Sequence, residues 1–154
     1  MVRLSDMTAD DAAHLLSKNC PSFPGEPFVA GPPLKDRRVA IVTTAGLHRT
    51  NDTAFDLTDI GYRVIPGNVQ AADLAMSHAS VNFDRSGFQD DVNVVFPIDR
   101  LRELKTAGEI GSVADFHYSV MGAGWEPHEI EPTALEMAAL LQRDNVDAAL
   151  LVPV

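Results

Sequence analysis

The 154 residues predict an α/β fold, a mostly parallel sheet with helices on both faces in the Rossmann or flavodoxin manner, on three observations. Val39 to Val42 and Asp147 to Val152 are apolar runs rich in branched side chains, the composition of strands buried on both faces. Between them, Ile98, Leu101 and Leu104, and later Leu135, Ala138, Ala139 and Leu141, recur at helical spacing, each set with a proline near its start. Strand and helix signals that alternate in this way belong to sheets whose crossovers are helical.

Along the chain, the first element is a short helix within residues 1–20. Thr8, with Asp11 three positions on, has the shape of a capping box. Ala12, Leu15 and Leu16 form an apolar stripe, and Pro21 ends it. Residues 21–36 read as an extended arm, because Pro21, Pro24, Pro27, Pro32 and Pro33 forbid regular helix or central strand. Phe23, Phe28 and Val29 could pin this arm to the domain or to a partner subunit. The α/β domain then occupies residues 37–154. Its strands are expected at Val39–Val42, Tyr62–Ile65, Val92–Phe96 and Asp147–Val152. Its helices are expected after Pro97, closed by Gly108, and from Pro132 to Arg143. The last strand is of the buried kind and leads toward the crevice where open sheets bind ligands. The layer is therefore expected to be incomplete at its C-terminus, the other reading being an edge strand that needs no cover.

Composition narrows the function. Twelve basic against 22 acidic residues give a formal charge of −10, which argues against a nucleic-acid partner, since phosphate attraction needs clustered Lys and Arg. No apolar run approaches the ~20 residues that span a bilayer, and no secretory pattern opens the chain, so a cytoplasmic protein without a membrane partner is expected. The single cysteine, Cys20, excludes an internal disulfide and a multi-thiolate metal centre; it sits at a helix C-terminus, where the dipole disfavours a thiolate.

Three polar clusters could carry chemistry. Thr43, Thr44 and His48 follow the first buried strand and should lie at the sheet's carboxyl edge, either lining a crevice or capping a strand-to-loop turn. His78, with Asn82, Asp84 and Arg85 close behind, is either a general base near a carboxylate or a solvated loop histidine. His117 and Tyr118 precede the small-residue turn Gly122-Ala123-Gly124, as pocket groups or as members of a short strand. No pair of histidines has ligand spacing, so no metal is expected. Neither a dinucleotide fingerprint nor a nucleophile elbow is present.

Read together, these pieces fall in the order of a known family. Val39-Ala40-Ile41-Val42-Thr43-Thr44-Ala45-Gly46-Leu47-His48, Phe55-Asp56-Leu57, Tyr62 to Pro66, Ser77-His78 with Asp84, Asn93 to Leu104, and His117 to Gly122 together resemble the selenoprotein B family of glycine/sarcosine/betaine reductases. Within it they are similar to the small D-proline reductase-like subgroup. The resemblance implies an α/β fold and reductive cleavage of a carbon–nitrogen bond in a small amino-acid-like substrate. It implies a selenocysteine or cysteine nucleophile placed just after the strand that corresponds to Asp147–Val154. That residue is expected immediately after Val154 in relatives, and no cofactor is expected within this chain. Partners implied are a pyruvoyl-bearing or thiol-reducing subunit, together with assembly as a homo-oligomer. Thr43, Thr44, His48, Asp84 and Tyr118 would contact substrate, and His78 and His117 would move protons. The chain is thus read as part or a subunit of such a reductase, inactive without the missing redox residue. The alternative is a non-catalytic binding or assembly subunit that uses its proline-rich arm.

Overall fold

The apolar run after Arg37 forms the strand around which the molecule is organised. The computed structural model describes residues 3–17, 22, 24–80 and 85–154. In chain order these hold α1 (Ala9–Leu16), β1 (Arg38–Thr43), β2 (Leu47–Arg49), β3 (Tyr62–Pro66), β4 (Leu74–Met76), α2 (Ser86–Asp90), α3 (Ile98–Thr106), β5 (Ser112–Val113), β6 (Phe116–Val120), α4 (Pro127–Arg143) and β7 (Ala148–Val152).

On one edge, β1 pairs in parallel with β7, from Val39↔Ala148 to Thr43↔Val152. Its other edge is shared, first by β5 (Val39↔Val113) and then by β6 (Val42↔Tyr118), both parallel. β6 in turn carries β3, from Tyr62↔Val120 to Pro66↔Phe116. That last pairing is antiparallel, so the sheet is α/β in class and mostly parallel, but mixed rather than uniformly wound. β2 and β4 form a separate antiparallel pair beside it.

Side chains on successive strand positions point to opposite faces, and each face has its own cover. Val39 and Ile41 pack with Ile65, Phe96 and the Ile98 and Leu101 stripe of α3. Tyr118, Val120 and Val42 pack with Met137, Leu140 and Ile130 of α4. Helices therefore cover both faces, as the pattern predicts.

Two local expectations are corrected. Val92–Phe96 is not a strand: Val92–Val94 is a 3₁₀ turn, capped by the Asp91 carboxylate accepting from the Asn93 N–H at 2.9 Å. Val92, Val95 and Phe96 are buried because they seat α3 on the sheet, while Val94 faces outward, and Pro97 then starts that helix. α4 begins at Pro127, five residues before Pro132, with the Glu129 carboxylate accepting from the Glu126 N–H at 2.6 Å. Phe116–Val120 is a strand of the sheet, the short-strand reading of His117 and Tyr118. α1 has its expected cap, Thr8 Oγ1 accepting from the Asp11 N–H at 3.2 Å, yet buries none of its residues. Residues 24–33 carry neither helix nor strand and Leu34–Asp36 closes the expected arm as a 3₁₀ turn, while Cys20, Pro21 and Phe23 lie outside the described residues.

Candidate functional site

Because β1, β6 and β7 run in parallel, their carboxyl ends meet at one edge, the place where open α/β sheets bind ligands. Thr44 knits that edge together. Its N–H donates to the Val152 carbonyl at 3.1 Å, and its Oγ1 accepts from the Val154 N–H at 2.8 Å. On the other side Gly46 donates its N–H to Val120 O at 3.0 Å and accepts from the Ser77 N–H at 3.0 Å. Gly46 has φ +62°, and a Cβ there would stand 3.1 Å from the His78 backbone nitrogen, so only glycine lets the loop hold residues 77 and 78 this close.

His78 is thereby carried to the sheet edge, where it is almost wholly buried. Its Nδ1 accepts from the Ser80 N–H at 3.1 Å, so the neutral ring holds its proton on Nε2. Nε2 faces Gly122. A Cβ at position 122 would meet Thr44 O at 2.6 Å, His78 Nε2 at 2.7 Å and Val154 O at 2.9 Å. These three atoms, from just after β1, from the segment after β4 and from just after β7, converge on one glycine. Burial, helped by the nearby Arg85 guanidinium, lowers the His78 pKa below its ordinary value and keeps the ring neutral near pH 7. Arg85 itself is held by donating to the His78 and Ser80 carbonyls, each at 2.6 Å. Beside this group, His48 on β2 is buried and hydrogen-bonded to Ser77 Oγ at 2.8 Å.

The other expected site residues are placed elsewhere. Thr43 is fully buried, its hydroxyl donating to Val95 O at 2.8 Å and accepting from the Ala45 N–H at 3.2 Å, which leaves it a strand-to-turn cap. Tyr118 points to the α4 face, edge-on to Tyr62 at 5.9 Å between ring centroids. Its phenol is raised above the ordinary value, chiefly by burial. His117 points the other way, into the core, edge-on to Phe96. Its Nδ1 accepts from the Ile41 N–H at 2.9 Å, and burial pushes its pKa down to about 4, so it is a neutral interior group rather than a proton carrier at the edge. Asp84 lies outside the described residues. The structure thus brings Thr44, His48 and His78 together and separates Thr43, His117 and Tyr118 from them.

Ser77, Gly46 and Gly122 are the participants that sequence reasoning did not assign. A lone glycine carries no spacing signal, and Ser77 is legible only once His48 is known to face it. An open groove of about 890 Å³ lies at the opposite edge, between Gly67, Lys105 and Phe116. Its Arg102 is already occupied by the Gly67 and Val69 carbonyls, so this groove is remote from the convergent group.

Comparison with known proteins agrees with the order of these segments. The family model for glycine/sarcosine/betaine reductase selenoprotein B matches residues 26–154, and the chain belongs to that family. It is 39% identical over 120 residues to the D-proline reductase subunit gamma of Acetoanaerobium sticklandii, covering 77% of this chain and 49% of that one. It is 29% identical over 132 residues to the betaine reductase complex component B subunit beta of Peptoclostridium acidaminophilum (77% and 29% covered). The glycine reductase complex component B subunit gamma of Symbiobacterium thermophilum is 29% identical over 140 residues (85% and 32%). The chain therefore spans about half the length of the first of these relatives and about a third of the others. No solved structure matches. Among the described residues no helix is long and apolar enough to cross a membrane.

Proposed function

We propose that this chain is a component of a reductase complex that cleaves the carbon–nitrogen bond of a small amino-acid-like substrate, with its part of the site at the carboxyl edge of β1, β6 and β7. The observation that carries the reading is the convergence of His78 Nε2, Thr44 O and Val154 O on Gly122. A selenocysteine or cysteine joined after Val154 would supply the nucleophile that such a cleavage needs. The residues present fit such a group: Val154 is fixed to Thr44, and its carbonyl emerges beside the neutral imidazole of His78.

The chain's own residues then have definite tasks. Thr44 fixes Val154, and with it the end of β7, beside His78. His78 presents the Nε2–H of a neutral ring at the point of convergence and can donate it as a hydrogen bond to the departing amine nitrogen as charge develops there. Burial keeps water from competing for that proton. Thr44 and His48 flank the approach.

The test uses the complex purified through a tag on this chain, offered D-proline, glycine, sarcosine or betaine with dithiothreitol. Cleavage of one of them is expected, with D-proline opening to a linear amino acid. His78→Gln should lower turnover by about a hundredfold while the fold persists. A complex that cleaves none of the four overturns the reading, and unchanged turnover in His78→Gln removes His78 from it.

A second reading, an assembly subunit, is favoured by one observation. Phe28 and Val29 in the arm are 89% and 84% exposed, more than apolar groups of a finished surface need to be.

A further inference from the structure

The arm leaves the domain beside a groove that it does not itself fill. Its root is a 3₁₀ turn at Leu34–Asp36, in which the Asp36 N–H donates to Pro33 O at 2.9 Å and the Arg37 N–H to Leu34 O at 3.0 Å. Arg37 reaches back along the arm, its Nε donating to Pro32 O at 2.6 Å. Gly31 makes room for that guanidinium, since a Cβ there would stand 3.2 Å from Arg37 Nη2. The Arg37 carbonyl accepts the N–H groups of Gly111 and Ser112, at 2.9 and 3.0 Å. The root is therefore fixed in direction and fastened to the start of β5, whose Val113 lines the groove of about 890 Å³. Beyond it, every described residue from 24 to 36 is exposed, and Phe28 and Val29 have no seat among the described residues.

The groove complements this arm in shape and in charge. Phe116, 46% exposed, contributes an aromatic ring to a lining that includes Pro66, Gly67 and Val113. Aromatic-lined grooves are the seats of proline-rich segments, whose stiff backbone loses little entropy on docking. Lys105, also in the lining, makes no ion pair among the described residues, and Glu26 is the one carboxylate between residues 24 and 33. At about 3.1 Å per residue, the stretch from Phe28 to Pro33 carries the ring roughly 15 Å from the root. A neighbour's groove at the same edge lies within that reach across a two-fold axis. We infer that the groove receives the proline-rich arm of a second copy, exchanged reciprocally, with Phe28 against Phe116 and Glu26 paired with Lys105. This rests on the assembly reading above and gives the arm its docking site. Each copy carries both arm and groove, so a two-fold exchange satisfies both and closes at the dimer. The ring supplies affinity and the ion pair sets register. Because the groove lies opposite the carboxyl edge, the exchange leaves His78 and Gly122 uncovered.

Sedimentation equilibrium of the full chain at about 0.1 M salt tests this, with circular dichroism confirming that each variant is folded. Wild type should dimerise. Phe28→Ala and Phe116→Ala should each weaken the dimer about thirtyfold, and together little further, because both remove one contact. Lys105→Glu, on the surface of α3, should weaken it about fivefold, and adding Glu26→Lys should recover the loss. In a Cys20→Ser background, Val29→Cys chains mixed with Thr106→Cys chains should be joined by a short bismaleimide into a covalent dimer. A monomeric wild type overturns the assembly reading and the exchange together. A dimer lost in Phe28→Ala but untouched by Phe116→Ala and Lys105→Glu keeps the assembly reading and overturns the groove as the seat. A dimer that Phe28→Ala leaves intact overturns the arm as its anchor. Cross-linking confined within single chains that carry both cysteines places the arm on its own groove and overturns the exchange.

Discussion

At position 117 an imidazole takes the place of a peptide carbonyl. Between Val39↔Val113 and Val42↔Tyr118, the β5–β6 side advances five residues while β1 advances three. The two extra residues push the neighbouring backbone away from β1, and His117 Nδ1 accepts the Ile41 N–H at 2.9 Å where a ladder carbonyl would otherwise do so. The ring must be neutral to accept. Its Nε2, with the ring proton, has no hydrogen-bond partner among the described residues. The pKa of His117 falls from 6.5 to about 4 on folding. Between those values the unfolded chain binds a proton that the folded one refuses, so stability declines as pH falls from about 6.5 toward 4, by about 3 kcal/mol from this residue. The depressed pKa of His78 adds in the same direction. The paired carboxylates, whose pKa values are also lowered, act only at still lower pH. Urea titrations at pH 7.5, 5.5 and 4.5 should show this slope, and His117→Gln, which keeps an acceptor but cannot titrate, should flatten it. An equal slope in the variant would refute the account.

At the scale of elements, one ion pair closes several joints. Arg38 begins β1 and donates through its guanidinium to the Asp144 carboxylate, to the Asp144 carbonyl at 2.7 Å and to the Val113 carbonyl at 2.9 Å. The second oxygen of Asp144 accepts the N–H of Asp115 at 2.8 Å and of Phe116 at 3.2 Å. β1, the β5–β6 bulge and the turn from α4 into β7 are all fastened at this point. Its side chains are largely shielded, at 22% and 11% exposure, so the pair is not an ordinary surface contact. Asp144→Ala leaves two backbone N–H groups unpaired and the guanidinium with two carbonyls and only the exposed Asp115 carboxylate at 3.2 Å, and is expected to cost about 3 kcal/mol in denaturant unfolding. A loss within experimental error would return it to the class of surface pairs. Joints of this kind also explain what the sequence could and could not disclose. β1, α3 and α4 are legible because their apolar residues repeat with a single period. β6 is legible only as one of two readings, because His117 and Ser119 are polar types buried by partners far away in sequence, the Ile41 and Leu47 N–H groups. Val92–Phe96 misleads for the opposite reason: an apolar run records burial, and a turn seated under a helix buries Val92, Val95 and Phe96 as a strand would. At the site, Thr44 and His48 are legible as polar residues after a strand, and His78 from its polar neighbours. Ser77 and Gly122 were not, since their roles consist entirely of what folding brings next to them.

At the scale of the whole molecule, apolar surface and net charge oppose each other. The far edge of β7 meets no strand among the described residues, and Leu151, on the α4 face of that strand, is 67% exposed. The strand from Ala148 to Val152 has no charge, proline or bulge of the kind that discourages edge pairing. The arm adds Phe28 and Val29. Against association stands a formal charge of −10 per chain, so two copies repel at low ionic strength. Screening at about 0.1 M salt shortens that repulsion to roughly 10 Å and leaves the apolar contacts untouched. If the arm is an assembly device, self-association should therefore strengthen as salt rises, the reverse of an interface built on opposite charges. Sedimentation of the full chain at 20 mM and 300 mM salt should show the heavier species favoured at the higher concentration, and a chain lacking residues 1–33 should remain monomeric at both. Monomers throughout would deny the arm that role. Association that persists without the arm would instead locate the contact on the sheet, where Leu151→Asp should abolish it.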